Sequence, residues 1–181
     1  MSENFGVWSI DIELFECIKK LLPPGKTILE FGSGFSTLKL SEFYNVISIE
    51  ENKNYIGKYK STYIYAPIKK IKPQKHFQEF DKWYDADVIQ RGLQGKSYDL
   101  MLIDGPMGAN TVRPGIYKYR NLFNWDIPVI FDDSNNHFLW RLIVVLCRNH
   151  LKRHSALTLN MDKRKCFTVL HPDKEKLKTL L

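Results

Sequence analysis

Short apolar runs that stop abruptly on glycine or aspartate constrain this chain more than any other feature. Thr27–Phe31 runs into Gly32-Ser33-Gly34, Tyr98–Ile103 into Asp104-Gly105-Pro106, and Ile127–Phe131 into Asp132-Asp133-Ser134-Asn135-Asn136. Two more such runs, Asn45–Glu50 and Tyr63–Ala66, are rich in the β-branched and aromatic residues that suit pleated backbone. The segments between them carry helical spacing. Apolar residues at Ile10, Leu14, Phe15, Ile18, Leu21 and Leu22 predict a helix over Trp8–Leu22. Pro23-Pro24-Gly25 ends it, because proline cannot extend the hydrogen-bond ladder. Helices are also predicted through Leu38, Leu40 and Phe43, between Phe80 and Leu93, around Tyr117–Phe123 and over His137–His150. Ala156–Met161 and Cys166–His171 flank a charged turn and read as an antiparallel hairpin. Strands alternating with helices predict an α/β fold in three layers, a mostly parallel sheet with a C-terminal antiparallel hairpin and helices on both faces.

At 181 residues the chain is read as one domain, residues 1–181. An apolar share of 44% with 26% charged residues excludes a wholly disordered chain. The longest apolar stretch, Leu139–Cys147, is about half of the ~20 residues a membrane span needs and is interrupted by Arg141. Glu3, Asp11 and Glu13 stand where a signal peptide would be cationic and then apolar, so a soluble, cytoplasmic protein without a membrane span is expected. Three scattered cysteines, Cys17, Cys147 and Cys166, read as reduced thiols. The net charge of +7 favours acidic partners. Its lysines concentrate in two runs, Lys53 to Lys75 and, with Arg164, Lys163 to Lys178, which read either as solvated surface or as a site for a nucleic acid, a nucleotide-sugar or a phosphorylated glycan.

In a parallel sheet, ligands sit beyond the carboxyl ends of the strands, near the point where strand order reverses. The polar strand ends are therefore the candidate site. Gly32 and Gly34 let backbone approach a ligand closely, and Ser36 and Thr37 are placed to satisfy the first amides of the next helix. Thr37 stands where the dinucleotide fingerprint wants its third glycine, which disfavours NAD or FAD, and no phosphate-loop motif is present. Glu50 follows Gly32 by eighteen residues, the position from which a carboxylate accepts both hydroxyl hydrogens of a ribose. The competing reading has Glu50 and Glu51 opening a helix, where negative charge is favourable.

The segments Leu29-Glu30-Phe31-Gly32-Ser33-Gly34 with Ser36-Thr37, Ile47-Ser48-Ile49-Glu50, Tyr98 to Pro106 and the terminal hairpin resemble class I S-adenosylmethionine-dependent methyltransferases. Within that superfamily the chain is similar to a compact group with a strand ending in Ala66-Pro67, a later Trp83-Tyr84, and Gly108 two residues after Asp-Gly-Pro. The resemblance implies a Rossmann-like fold and S-adenosyl-L-methionine as cofactor. Gly32, Ser33 and Gly34 would line its methionine moiety, and Ser36 and Thr37 would join them in binding the cofactor. Glu30 would hold the turn or reach the amino group through water. Glu50 would take the ribose, and Asp104 would face cofactor and substrate. Many relatives contact the adenine amino group with an acidic residue after the third strand, but Tyr65-Ala66-Pro67 offers none.

Asp132 and Asp133 repel one another and lose solvation unless a cation or donors compensate. With Asp104 and Asn135 they form an oxygen-rich set suited to Mg²⁺, Mn²⁺ or Ca²⁺. This resembles catechol-type O-methyltransferases, except that Asp133 replaces an Asn and Met107 stands where that family tends to carry a lysine base. Alternatively, Asp132 and Asp133 cap the following helix. His137 is a candidate general base for a hydroxyl, or a helix-surface histidine. Arg113 is a candidate holder of an anionic acceptor, or a loop residue that ties down carbonyls. Trp83, Tyr84, Tyr117 and Trp140 form either an aromatic cleft wall or core.

The leading expectation is an enzyme that methylates a hydroxyl of a small molecule, sugar or glycan by in-line attack, aided mainly by positioning. A nucleic-acid methyltransferase is the alternative, encouraged by charge, although the sequence has neither an Asp/Asn-Pro-Pro-Tyr run nor a Pro-Cys pair. A binding module that keeps the fold without catalysis is the third.

Overall fold

The structure, a computed structural model, describes residues 10–73, 81–106, 113–135, 138–151, 154–159 and 166–180. Its main sheet has seven strands. In chain order they are β1 (Thr27–Phe31), β2 (Asn45–Glu50), β3 (Thr62–Tyr65), β6 (Leu100–Ile103), β7 (Val129–Phe131), β8 (Ser155–Leu159) and β9 (Phe167–His171). Two short strands, β4 (Ile68–Lys70) and β5 (Lys82–Tyr84), pair separately and antiparallel. The strand order of the main sheet is β3-β2-β1-β6-β7-β9-β8. The first five are parallel, while β9 runs antiparallel to both β7 and β8. The chain winds outward from β1 to β3 and then returns to place β6 beside β1. The order therefore reverses between the glycine turn after β1 and Asp104-Gly105 after β6, where a parallel sheet opens a crevice.

The helices are α1 (Ile12–Leu21), α2 (Phe35–Leu40), α3 (Ala86–Leu93), α4 (Gly115–Lys118), α5 (Phe138–His150) and α6 (Lys174–Lys178). Alternation along the strands sorts them into two layers. Ile28, Leu100, Leu102 and Ile130 face one core with Leu14 and Ile18 of α1, Leu40 of α2 and Leu177 of α6. Leu29, Phe31, Met101, Ile103 and Phe131 face the other core with Ile89 of α3, Ile116 of α4 and Ile143 of α5. Burial on both faces explains why the central strands read as unbroken apolar runs. The α1 start is fixed by Asp11, whose carboxylate accepts from Leu14 N at 2.8 Å.

Two expectations are corrected, and one is joined by a strand the sequence did not show. The helix expected between Phe80 and Leu93 is α3, Ala86–Leu93, and β5 precedes it. Trp83 and Tyr84 are both fully buried, each 6.1 Å from the Phe31 ring, so neighbouring residues point into protein and no alternation shows. The helix expected around Tyr117–Phe123 is one α-turn at Gly115–Lys118 and one 3₁₀ turn at Arg120–Leu122. Glu50 and Glu51 open no α-helix; a 3₁₀ turn, Lys53–Tyr55, follows with Asn52 as its cap. Trp8, Lys75, Phe80, Met107, Gly108, Thr111, Val112, Asn136, His137, Met161 and Lys163 to Lys165 lie outside the described residues.

The cysteines are buried free thiols, and burial pushes Cys17 up to about 12. Among the described residues no helix is long and apolar enough to cross a membrane.

Candidate active site at the strand ends

The glycine turn is a close backbone junction. Gly32 adopts φ +90°, a left-handed conformation that favours glycine. Its N–H donates to Ile49 O at 2.9 Å, and Gly105 N donates to Phe31 O at 2.6 Å. A Cβ on Gly105 would lie 2.8 Å from Gly32 N and 2.8 Å from Tyr84 Oη, so a side chain there would push the tips of β1 and β6 apart. Gly34, in extended backbone at the start of α2, is the opposite case: a Cβ there would meet nothing within 4 Å. The turn is therefore tightly packed at Gly32 and Gly105 and free of close contacts at the Gly34 Cα.

Glu30 braces this turn from within. It is 1% exposed, and its Oε2 accepts from Thr37 Oγ1 at 2.7 Å and Ser48 Oγ at 3.1 Å. Its Oε1 accepts from Ser36 Oγ at 3.1 Å. Burial pushes this carboxyl up to about 8; the three hydroxyls pull it down and Asp104 adds to the rise. The hydroxyls of Ser36 and Thr37 thus donate to Glu30, a partner the sequence did not show, and of the expected role at the helix amides Thr37 keeps one. Thr37 Oγ1 also accepts from Gly34 N at 2.9 Å. Ser33, half-buried, has its Oγ 3.1 Å from Tyr63 Oη. Ser48 and Tyr63 were missed in the sequence, although a serine between Ile47 and Ile49 in an apolar strand was the available signal.

Glu50 ends β2 with 3% exposure. Its Oε1 accepts from Asn52 N at 2.6 Å. Burial, with Glu51 adding, pushes it up to about 7 against the pull of the Asn52 and Ser33 amides. Tyr84 is fully buried in the same corner, with burial and the carboxylates of Glu51 and Glu50 holding its phenol well above its usual range. Among the described residues its Oη has no hydrogen bond of full geometry. The Glu50 carboxylate at the strand tip, this buried phenol and the glycine turn suit a ligand that brings hydroxyls and amines, as S-adenosylmethionine does. At Ala66, fully buried, there is no carboxylate for an adenine amino group.

The third strand-end group centres on an arginine. Carboxylate oxygens of Asp104, Asp132 and Asp133 lie within 4.8 Å of one another. Arg113, 7% exposed, places Nη1 3.3 Å from Asp133 Oδ2 and Nη2 3.6 Å from Asp104 Oδ1. Its Nε donates to Pro106 O at 3.1 Å, and its guanidinium lies 5.9 Å from the Trp140 ring centroid. The sequence offered Arg113 to an anionic acceptor; the structure turns it inward, onto carboxylates and a loop carbonyl. Asp132 is 3% exposed, and burial, Asp104 and Asp133 hold its carboxyl well above the usual range. Asp133 takes φ 52°, uncommon outside glycine. Asn135 Oδ1 is buried, with no hydrogen-bond partner among the described residues. Trp83, Tyr84 and Trp140 are core rather than exposed cleft wall.

A separate open groove of about 470 Å³ follows the outer edge of β3, lined by Tyr63, Tyr65, Val88, Arg91, Gly92 and Lys96 among others. Lys53 Nζ lies 5.5 Å from the Tyr65 ring, and Lys58 Nζ lies 5.0 Å from that of Tyr55.

Comparison with solved structures identifies the architecture as that of class I S-adenosylmethionine-dependent methyltransferases. Human methyltransferase-like protein 13, solved in complex with SAH, aligns with 92% of this chain and 86% of its own at 9% identity and a TM-score of 0.55. A methyltransferase-like protein from Silicibacter pomeroyi aligns over 94% and 93% at 16% identity, TM-score 0.55. The 16S rRNA N2 G1207 methyltransferase of T. thermophilus, in complex with AdoMet and guanosine, aligns with 91% of this chain and 39% of its own at 12% identity, TM-score 0.53. No family profile and no curated protein matches the sequence. At these identities the likeness establishes the shared fold.

Proposed function

We propose that the chain is an S-adenosylmethionine-dependent methyltransferase whose acceptor is a hydroxyl of a small molecule, sugar or glycan. The observation that carries this reading is the junction where Gly32 and Gly105 let β1 and β6 touch, with the Glu50 carboxylate buried at the adjacent strand tip. Bound there, the cofactor supplies an electrophilic methyl group on its sulfonium. Gly32, Ser33 and Gly34 would lie along its amino-acid end. Glu50, once deprotonated, would accept the ribose hydroxyls, and Glu30 would keep the turn in shape through Ser36, Thr37 and Ser48.

On the acceptor side, Asp104 has a side chain 22% exposed at the centre of the strand ends, where it can receive or orient a hydroxyl hydrogen. His137, outside the described residues, remains the second candidate base. Incubating the protein with methyl-labelled S-adenosylmethionine and a panel of phenols, sugars and nucleotide-sugars tests the reading. Label transfer to a hydroxyl supports it. Tight cofactor binding with no transfer to any acceptor class would favour the non-catalytic module.

One observation favours a second reading, a nucleic-acid acceptor. Lys53, Arg91 and Lys96 are exposed beside Tyr65 on the β3 edge, and among the described residues none of the three cations has a carboxylate within salt-bridge distance. Cations interleaved with aromatic rings suit single-stranded nucleic acid. Steeply salt-dependent binding of an oligonucleotide, lost on Lys53→Glu with Arg91→Glu, would move the acceptor to this class.

A further inference from the structure

Three carboxylate oxygens within 4.8 Å of one another would ordinarily invite a divalent ion. The geometry points to a different occupant: we propose that Arg113 is the resident cation of this cluster, filling the place of a metal, so that the cleft holds Asp104 and Asp133 in position without one.

The guanidinium is pinned on several sides. Nη1 and Nη2 reach Asp133 at 3.3 Å and Asp104 at 3.6 Å, and Nε reaches Pro106 O at 3.1 Å. Its Cζ lies 5.9 Å from the ring centroid of Trp140, whose own Nε1 donates to Asp132 O at 2.9 Å. The strand-end backbone, the aromatic support and the cation therefore form one packed unit. At 7% exposure Arg113 has little water to return to. A Mg²⁺ ion draws oxygens in to about 2.0–2.1 Å and keeps several waters. It would have to meet that geometry with a positive charge already between two of its three ligands, a like-charge contact that removes much of the attraction. Arg113 also bridges the segment 107–112, because its own backbone follows that segment while its side chain holds Pro106, which precedes it. Arg113 is thus a positioning residue: it acts through Asp104 and Asp133.

The probe is Mn²⁺, followed by the loss of its free-ion paramagnetic resonance signal on titration into the full chain, without cofactor or acceptor. The wild-type protein is expected to leave millimolar Mn²⁺ free and to melt at the same temperature with Mn²⁺ or with a chelator. Arg113→Met is expected to bind Mn²⁺ roughly tenfold or more tighter than wild type, since the competing charge is gone. It should also be stabilised by Mn²⁺, and adding Asp104→Asn should remove that gain. If Arg113→Met fails to fold alone, recovery of folded protein with and without Mn²⁺ during refolding gives the same readout. Micromolar Mn²⁺ binding by wild type that Asp104→Asn abolishes would overturn the proposal. So would an Arg113→Met protein that Mn²⁺ neither binds nor rescues. Both readouts are independent of methyl transfer, so the assignment can fail while the cofactor reading stands.

Discussion

Glu30→Gln should flatten the dependence of stability on pH. In the folded protein this carboxyl is pushed up to about 8 by burial, whereas an unfolded glutamate titrates near ~4.3. Between those values the folded state keeps a proton that the unfolded state has lost, so stability falls as pH rises. The contribution is fully present below the unfolded value and is lost progressively up to about 8. Each pH unit well inside that window removes about 1.4 kcal/mol, so pH 5 to 7 removes about 3 kcal/mol through this one group. Glutamine keeps the shape and an acceptor oxygen for the hydroxyls of Thr37, Ser48 and Ser36, but has nothing to titrate. Urea unfolding followed by tryptophan fluorescence at pH 5, 6 and 7 should therefore give a variant slope shallower by about 1.4 kcal/mol per pH unit. Glu50 and Asp132, also raised by burial, add to the slope that remains, and His171, lowered by burial, opposes it. Equal slopes in the two proteins would refute the reasoning, as would a wild type that gains stability across this range.

Gly105→Ala brings a Cβ within 2.8 Å of Gly32 N and should destabilise the fold by about 1–3 kcal/mol, read as a lowered melting temperature. Gly34→Val puts its Cβ into open space on extended backbone but at a helix N-cap that disfavours valine, so it should melt only modestly below wild type and yet bind S-adenosylmethionine more weakly; unchanged affinity would place the ligand elsewhere. Asp104→Asn should lower turnover more than cofactor affinity, a split that steady-state kinetics beside calorimetry resolves.

The strand ends were legible because each couples two signals, an apolar run buried on both faces and a residue that halts it. Gly32, Asp104 and Asp132 all stand at such breaks, and the sheet brings them together as strand alternation implied. What the sequence hid depends on contacts across large separations. Ser36 and Thr37 were legible only as helix caps because capping is local; Thr37 does accept from Gly34 N, but both hydroxyls also donate to Glu30, on the preceding strand. Arg113 was offered to an anionic acceptor or to loop carbonyls; it does hold Pro106 O, but its pairing with Asp104 and Asp133 spans too much sequence to be announced there. The β4–β5 ladder was concealed by Trp83-Tyr84, adjacent aromatics that both bury and so mimic no period. Tyr84, read as wall or core, proved to bring its hydroxyl to the glycine junction.

Calorimetric titration of S-adenosylmethionine into wild type and Glu50→Gln, at pH 6 and pH 8, tests the central claim most directly. A charged hydrogen-bond acceptor for the ribose contributes about 1.5–3 kcal/mol, so the variant should bind roughly 10- to 150-fold more weakly at pH 8. Glu50 is pushed up to about 7, so wild-type affinity should fall from pH 8 to pH 6 as the carboxylate takes up a proton, while the variant shows no such fall from this group. Wild-type binding that is indifferent both to this substitution and to pH would contradict the assignment of the cofactor to these strand ends.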